Sequence, residues 1–266
     1  MLVLVDADPI VYTAGFAAER TVAPGAKVVG PKSHALECVN KMCGAMQHKI
    51  ASAHDEECEF RYFLTGKKNF RNAIATIKPY KGNRDPDAKP YWYKEIRKHL
   101  CYKYDATIVE NWEADDAVSM LHYSYEPGNT IIATIDKDLK MVPGRNFNYR
   151  TGKWHDVDAA SARRAFWTQV LTGDTTDNIG GCYKIGKQRA AKLLAGLDDS
   201  STALEFYGVA LDAYTSSIVE YGPATGYEHL GACAALLENA RLLWMLEYPG
   251  QLWTPPGIPD ERFSYE

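Results

Sequence analysis

Four short apolar runs constrain this chain more than any other feature: Leu2–Val5, Phe60–Leu64, Thr107–Val109 and Thr130–Ile135. Each is followed at once by acidic or turn residues. Apolar runs without polar alternation belong to strands covered on both faces, the usual condition of parallel sheets. Between the first two, a helical pattern from about Ser33 to Ser52 places Leu36, Val39, Met42, Cys43, Met46 and Ile50 on one face, with Ser33 as N-cap. Another helix is expected from Glu113 through Leu121, and Pro127-Gly128 breaks the chain before the next run. Strands alternating with helices predict an α/β fold with a mainly parallel central sheet flanked by helices. In such sheets, ligands bind beyond the carboxyl ends of the strands.

Past residue 155 the strand signals fade. Ala159–Leu171, Ile185–Leu194 and Leu230–Glu247 read as helices, and the proline-rich Trp253–Pro259 as an extended tail packed on the surface. The expected division is a first domain over 1–155 and a helical region over 156–266. No apolar run approaches the ~20 residues needed to cross a bilayer, and Met1–Asp6 lacks the basic flank and length of a signal peptide. A cytoplasmic protein with no membrane partner is expected. The six cysteines are scattered without a CxxC pair, which predicts free thiols, several of them buried.

Carboxylates recur where a parallel sheet would gather them. Asp6 ends the first run, with Asp8 two residues on. Glu113-Ala-Asp115-Asp116 opens a helix after the third, and Asp136-Lys-Asp138 follows the fourth directly. Gly173-Asp174-Thr-Thr-Asp177-Asn178 follows the helix ending near Leu171. Taken singly, each cluster has an ordinary explanation: acids cap helix N-termini, and Asp136 and Asp138 suit a turn. Clusters landing at one end of the sheet repel strongly unless cations neutralise them. Oxygen donors without convergent His or Cys favour Mg²⁺ or Mn²⁺ over zinc.

The formal net charge is −4, yet the charge is unevenly spread. Arg61 to Lys103 holds 12 Lys/Arg against three acids, Asp85, Asp87 and Glu95. Net charge therefore does not exclude a nucleic-acid partner. Within Asn69–Leu100, bases such as Lys78, Lys81, Arg84, Lys89, Lys94, Arg97 and Lys98 alternate with Tyr80, Tyr91, Trp92 and Tyr93. Cations on phosphates and rings on unpaired bases would suit a single-strand channel. An amphipathic helix with its aromatics in the core explains the same pattern.

The ordered set Asp6, Tyr80-Lys81-Gly-Asn83-Arg84, Glu113-Ala-Asp115-Asp116, Asp136-Lys-Asp138-Leu and Gly173-Asp174-x-x-Asp177-Asn178-Ile resembles the flap endonuclease/5′→3′ exonuclease family, whose nuclease domains are PIN-like. Within that family it looks most like the T-odd bacteriophage 5′→3′ exonucleases. The similarity runs from the first strand to about Leu194, and Leu252-Trp-x-Pro255 also fits. The resemblance implies a first metal held by Asp6, Glu113, Asp115 and Asp116, and a second held or shaped by Asp136, Asp138, Asp174 and Asp177. It implies a helical arch over about 69–100, in which Lys81 and Arg84 contact the scissile phosphate and Arg71, Lys89 and Lys94 bind DNA. Family members usually place an aspartate just after the second strand, where this chain reads Phe63-Leu64-Thr65-Gly66. Thr65 itself, a water, or Asp8 would then fill that position.

Gly180 to Leu194 resembles the family's helix-hairpin-helix element, which binds duplex backbone. Lys184, Gly186, Lys187, Arg189 and Lys192 are its DNA-binding candidates, and the turn is the candidate K⁺ position. The usual Gly-Ile-Gly reads Lys184-Ile185-Gly186 here. Altogether the resemblance implies a monomeric, two-metal DNA hydrolase acting at duplex 5′ ends, nicks, flaps or RNA–DNA primers during phage replication and recombination, with 5′-phosphate products. The competing readings are a PIN-type ribonuclease, which shares the acidic site, and a catalytically silent structure-specific DNA-binding protein.

Overall fold

Strand β1 (Leu2–Asp6) is buried along its whole length, as its unbroken apolar sequence requires. It is followed by helix α1 (Asp8–Ala17), a hairpin of β2 (Glu19–Ala23) and β3 (Ala26–Val29), helix α2 (Lys32–Ala51) and strand β4 (Glu59–Asn69). Next come the one-turn helix α3 (Arg71–Ile74), α4 (Tyr93–Tyr104), β5 (Thr107–Asn111), α5 (Ala114–Tyr123), β6 (Thr130–Ala133), β7 (Gly144–Asn148) and β8 (Lys153–Val157). The remainder holds α6 (Ala159–Thr172), α7 (Lys187–Leu193), α8 (Ala203–Tyr221), α9 (Gly231–Leu243) and the short pair β9 (Gln251–Leu252) and β10 (Glu261–Arg262). These elements come from a computed structural model, which describes residues 1–23, 26–54, 57–85, 88–259 and 261–262.

The chain forms two units. The first comprises Met1–Lys68, Asp85–Leu139 and Gly144–Asp156; the second comprises Asn69–Arg84, Lys140–Pro143 and Val157–Glu266. The break at Asp156 lies beside the expected boundary, but Asn69–Arg84 and Lys140–Pro143, expected in the first domain, belong to the second. The stretch expected to form one arch is thus divided, and helix occurs in it only as α3 and the start of α4 among the described residues. Residues 86 and 87 of that stretch, Asp87 included, lie outside the described residues.

The first unit is built on a six-stranded sheet of order β5-β4-β1-β6-β7-β8. β1 pairs in parallel with both β4 and β6, and β6 in parallel with β7. The α/β fold with a mainly parallel sheet is therefore observed. Val3, Val5, Tyr62, Leu64, Ile131 and Ala133 face a core completed by Ile10, Val11 and Ala14 of α1, Val39, Cys43, Met46 and Ile50 of α2, and Ile96 and Leu100 of α4. Each large aliphatic side chain buried there contributes roughly 1.5–3 kcal/mol. Leu4, Phe63 and Ile132 alternate to the opposite face, where α5 packs.

Register decides which side chains share the carboxyl edge of the sheet. Asp6 lies opposite Phe63, and Val5 opposite Ala133. The ends of three parallel strands therefore bring Asp6–Asp8, Thr65 and Thr134–Asp136 to one edge.

The second unit is helical. Trp167, Phe166 and Trp244 form an aromatic core with Trp253, whose ring centroid lies 5.8 Å from those of both Phe166 and Trp167. The sequence pattern places Trp253 in a surface tail, but it is 8% exposed. A ring of that size gains more from a pocket than from solvent. No helix among the described residues is long and apolar enough to cross a membrane.

Candidate functional site

Asp6 ends β1 with a carboxylate that is only 4% exposed. Its Oδ2 accepts a hydrogen bond from the Thr134 hydroxyl at 3.1 Å, and its Oδ1 one from the Asp8 amide at 3.3 Å. Burial raises the Asp6 carboxyl well above the ordinary range, and the charges of Asp8 and Asp136 push it further the same way. Asp8 opens α1 and leans onto the end of β4. Its carboxylate accepts from the Thr65 amide at 3.1 and 3.3 Å and from Arg97 Nη1 at 3.2 Å. Burial raises the Asp8 carboxyl too; the Thr65 hydrogen bonds and Arg97 oppose the rise, while Glu113 adds to it.

Helix α5 sets the next group. Glu113 and Asp116 form a reciprocal capping box, with the Glu113 amide donating to Asp116 Oδ2 at 3.1 Å. The Ala114 amide donates to Thr65 Oγ1 at 2.9 Å, so β4 and α5 are tied at their ends. Glu113 and Asp116 are buried, and Asp115 is half-buried. Asp136 accepts from the Asp138 amide at 2.9 Å, and its own amide donates to Thr134. The ordinary capping and turn roles are therefore present in these acids. They leave each carboxylate with further lone pairs, since an ionised carboxyl has about four acceptor positions.

This edge of the first unit carries Asp6, Asp8, Glu113, Asp115, Asp116, Asp136 and Asp138, as the sequence pattern predicts. Among the described residues, no three of these groups are drawn together tightly enough to form a ready-made metal cage. The donor chemistry nevertheless suits a hard divalent cation. The carboxylates are oxygen donors, buried or half-buried, and the charges of Asp8 and Asp136 raise the proton affinity of Asp6, as that of Glu113 raises the proton affinity of Asp8. A guanidinium, that of Arg97, already stands in as a cation against Asp8.

The second unit holds the rest. Asp174 is 3% exposed and accepts from Gln169 at 3.0 Å and from the Thr176 amide at 2.7 Å. Asp177 receives Tyr80 Oη at 2.8 Å and Arg84 Nη2 at 2.6 Å, with Lys81 Nζ at 3.6 Å. The Lys81 amide also donates to the Asp177 carbonyl, and Asn83 to that of Thr175. Lys81, with φ 55°, is held in a left-handed turn by these contacts. The loop Gly173–Cys182 is fixed by a close backbone crossing. A Cβ on Gly181, whose φ is 62°, would stand 2.2 Å from the Gly173 nitrogen.

Lys184, Lys187, Arg189 and Lys192 are exposed around the entry and body of α7, with Gly186 as its N-cap. Lys184 has φ 57° and its ammonium lies 4.7 Å from the Tyr221 ring centroid. Lys89 and Lys94 are exposed in the first unit.

One expectation fails. Arg71 is 1% exposed and so is not a DNA-binding residue. Its Nε donates to the Leu242 carbonyl at 2.8 Å and its Nη2 to that of Trp244 at 2.9 Å. These carbonyls end α9 and lack helical partners, which makes the guanidinium a cap for that terminus. Of the aromatics assigned to a channel, Trp92 and Tyr93 pack against the core while Tyr91 is exposed. Arg97, read as a channel base, is turned onto Asp8.

No family model matches the sequence, and neither does any curated protein. Comparison with solved structures gives a different result. A bacteriophage T5 protein co-crystallised with metal ions aligns with a TM-score of 0.58 at 13% identity, over 91% of this chain and 88% of that one. This chain shares its fold. The T5 flap endonuclease, in a pseudo-enzyme–product complex with DNA and metal ions, aligns with a TM-score of 0.53 at 16% identity, over 91% and 88% of the two chains. The T5 5′-exonuclease with zinc bound gives 0.52 at 14% identity, over 90% of this chain and 99% of that one. The T5 exonuclease fold is thus present at an identity where few side chains are held in common.

Proposed function

We propose that this protein is a divalent-metal-dependent nuclease that hydrolyses DNA from 5′ ends or at flaps and leaves 5′-phosphates. The observation that carries the reading is the edge formed by β1, β4 and β6. There, Asp6, Asp8, Glu113 and Asp136 are buried or half-buried together, with the charges of Asp8 and Asp136 bearing on Asp6 and that of Glu113 on Asp8. Such an arrangement costs folding energy, so a cation that neutralises it is the natural function of the site. The T5 structures of this fold, with metal ions and with DNA, point the same way.

Asp6, Asp8, Glu113, Asp115, Asp116 and Asp136 are the first-unit residues that would hold Mg²⁺ or Mn²⁺, with Asp138 shaping the turn beside them. Bound cations would supply an activated water and stabilise the departing 3′-oxygen. In the second unit, Asp177 orients Lys81 and Arg84, whose charges would offset the negative charge that develops on a phosphate. Asp174 braces the loop that carries Asp177. The exposed Lys184, Lys187, Arg189 and Lys192 would grip duplex backbone, a contact that positions without reading sequence. Action on RNA primers, a monomeric state, K⁺ at the Lys184–Gly186 turn, and a place in phage replication in the host cytoplasm belong to the same reading.

The test is cleavage of 5′-labelled duplex, nicked, flapped and all-RNA substrates with Mg²⁺, Mn²⁺ or EDTA. The expected result is metal-dependent release from the DNA 5′ end, abolished by Asp136→Ala with DNA binding retained. Cleavage of RNA alone would install the ribonuclease reading. Binding without cleavage under any metal would leave a structure-specific DNA-binding protein.

A further inference from the structure

Two polar residues lie side by side on α9 among the buried Leu236, Ala240, Leu242 and Leu243. Glu238 is 9% exposed and Asn239 3%. Burying such groups is costly unless hydrogen bonds compensate them, and both side chains meet backbone amides of other segments. Glu238 Oε1 accepts the Thr76 amide at 2.8 Å and the Ile77 amide at 2.7 Å, while Oε2 takes the Thr76 hydroxyl. Asn239 is fixed by its own Nδ2, which donates to the Ala235 carbonyl one turn back at 2.9 Å. Its Oδ1 then faces the Gly181 amide, which donates to it at 3.3 Å. Consecutive helical residues point about 100° apart, so one short piece of α9 can hold two different segments.

Those segments carry the cations assigned to the phosphate. Thr76 and Ile77 lead through Pro79 and Tyr80 into Lys81 and Arg84, and Gly181 belongs to the loop in which Asp177 receives both cations. The segments also hold each other. Asn178 Nδ2 donates to the Pro79 carbonyl at 2.9 Å, and the Lys81 amide to the Asp177 carbonyl at 2.9 Å. Helix α9, residues 76–84 and residues 173–182 therefore close a triangle of hydrogen bonds. Released from α9, the other two sides could shift as a pair and take both cations with them.

We propose that Glu238 and Asn239 are positioning residues, which fix where Lys81 and Arg84 stand by anchoring both sides of their support to α9. The catalytic half of this inference rests on the nuclease reading; the anchoring half does not. Neither residue need touch DNA. A shift of about 1 Å in a group that meets the reacting phosphate can lower the rate roughly 100-fold, so an anchor remote from the chemistry can govern it.

Hydrogen exchange of the full chain without DNA or metal, read by mass spectrometry, tests the anchoring apart from cleavage. Glu238→Ala should speed exchange over 76–84 and also over 173–182, a loop to which Glu238 makes no hydrogen bond among the described residues. Asn239→Leu should loosen both from the other side, and carries the test alone if Glu238→Ala does not fold. Peptides from α6 and α8 should keep their wild-type protection. In single-turnover cleavage of 5′-labelled duplex, either variant should lower the saturated rate roughly 10–100-fold. Duplex affinity and its salt slope should stay as they are, because the lysines around α7 are untouched. Glu238→Gln keeps an acceptor for both amides and should recover most of the rate. Exchange that rises evenly across the second unit, or not at all over 76–84, would overturn the anchoring. A full saturated rate in variants whose two segments exchange faster would overturn the positioning role. A wild-type chain that cleaved nothing, with the local exchange pattern present in the variants, would sink the nuclease reading and leave the anchoring in place.

Discussion

Arg71 offers the clearest separation of a structural role from a nucleic-acid role. Its guanidinium is buried at 1% exposure and donates to the carbonyls of Leu242 and Trp244 at the end of α9. Arg71→Met keeps most of the aliphatic stem and removes the donors. Each orphaned buried carbonyl costs about 1–3 kcal/mol, so the pair should cost about 2–6 kcal/mol. Loss of the cation beside the helix terminus acts in the same direction. Lysine should not rescue the protein, because one ammonium cannot reproduce the two-pronged geometry. The assay is urea unfolding followed by tryptophan fluorescence, which Trp244 and Trp253 in this region make sensitive. The expected result is a lower midpoint with an unchanged slope, and DNA affinity of the folded protein unaltered across a salt series. A stability loss below about 1 kcal/mol together with weaker DNA binding would refute the reasoning and return Arg71 to a phosphate-binding role.

Three further outcomes are expected. Lys81→Ala should lower the saturated single-turnover rate by roughly two orders of magnitude or more. Lys187→Ala with Lys192→Ala should instead raise KM and flatten the salt dependence at little cost to that rate; if the two effects were exchanged, the assigned roles would be wrong. Burial pushes the Cys43 thiol up to about 12, so at pH 8.5 it holds almost no thiolate. Iodoacetamide should label exposed Cys233 in the native protein and reach Cys43 only on unfolding, as read by mass spectrometry; equal rates would mean the buried face of α2 is not packed as described.

The central strands are legible in the sequence because β1 and β6 are apolar on both faces, a pattern that few other elements share. β7 and β8 are not, since Arg145, Asn146, Lys153, His155 and Asp156 mask any alternation. α8 is absent from the helices expected past residue 155, although Thr202 and Glu205 form a capping box ahead of the buried Phe206, Ala210, Ala213 and Tyr214. That signal is present in the sequence. At the site, the acids of β1, α5 and the Asp136 turn can be placed because register follows from strand ends. Asp8 cannot be assigned that way, because its meaning depends on Thr65 and Arg97, 57 and 89 residues away. Arg71 misleads for a related reason. A base inside a basic run looks solvent-facing until its partner carbonyls, 171 and 173 residues on, are known.

The second unit is discontinuous in the chain, and this governs how the protein can be made. Asn69–Arg84 leaves the ribosome long before the residues that hold it. Tyr80 waits for Asp177, 97 residues later, and Arg71 for the last turn of α9. During synthesis, the strands β1, β4 and β6 can pair while this segment is still without its partners. Its charged and aromatic side chains then stay in water until α9 emerges. Closing so long a loop costs only slightly more entropy than closing a short one, so the finished unit loses little stability by it. What it gives up is separability. Cutting the chain at Asp156 would not release a self-sufficient first unit, because the piece would carry Asn69–Arg84 without the helices that bury it. Insertion, permutation or domain exchange at that boundary would have to move three stretches of sequence together.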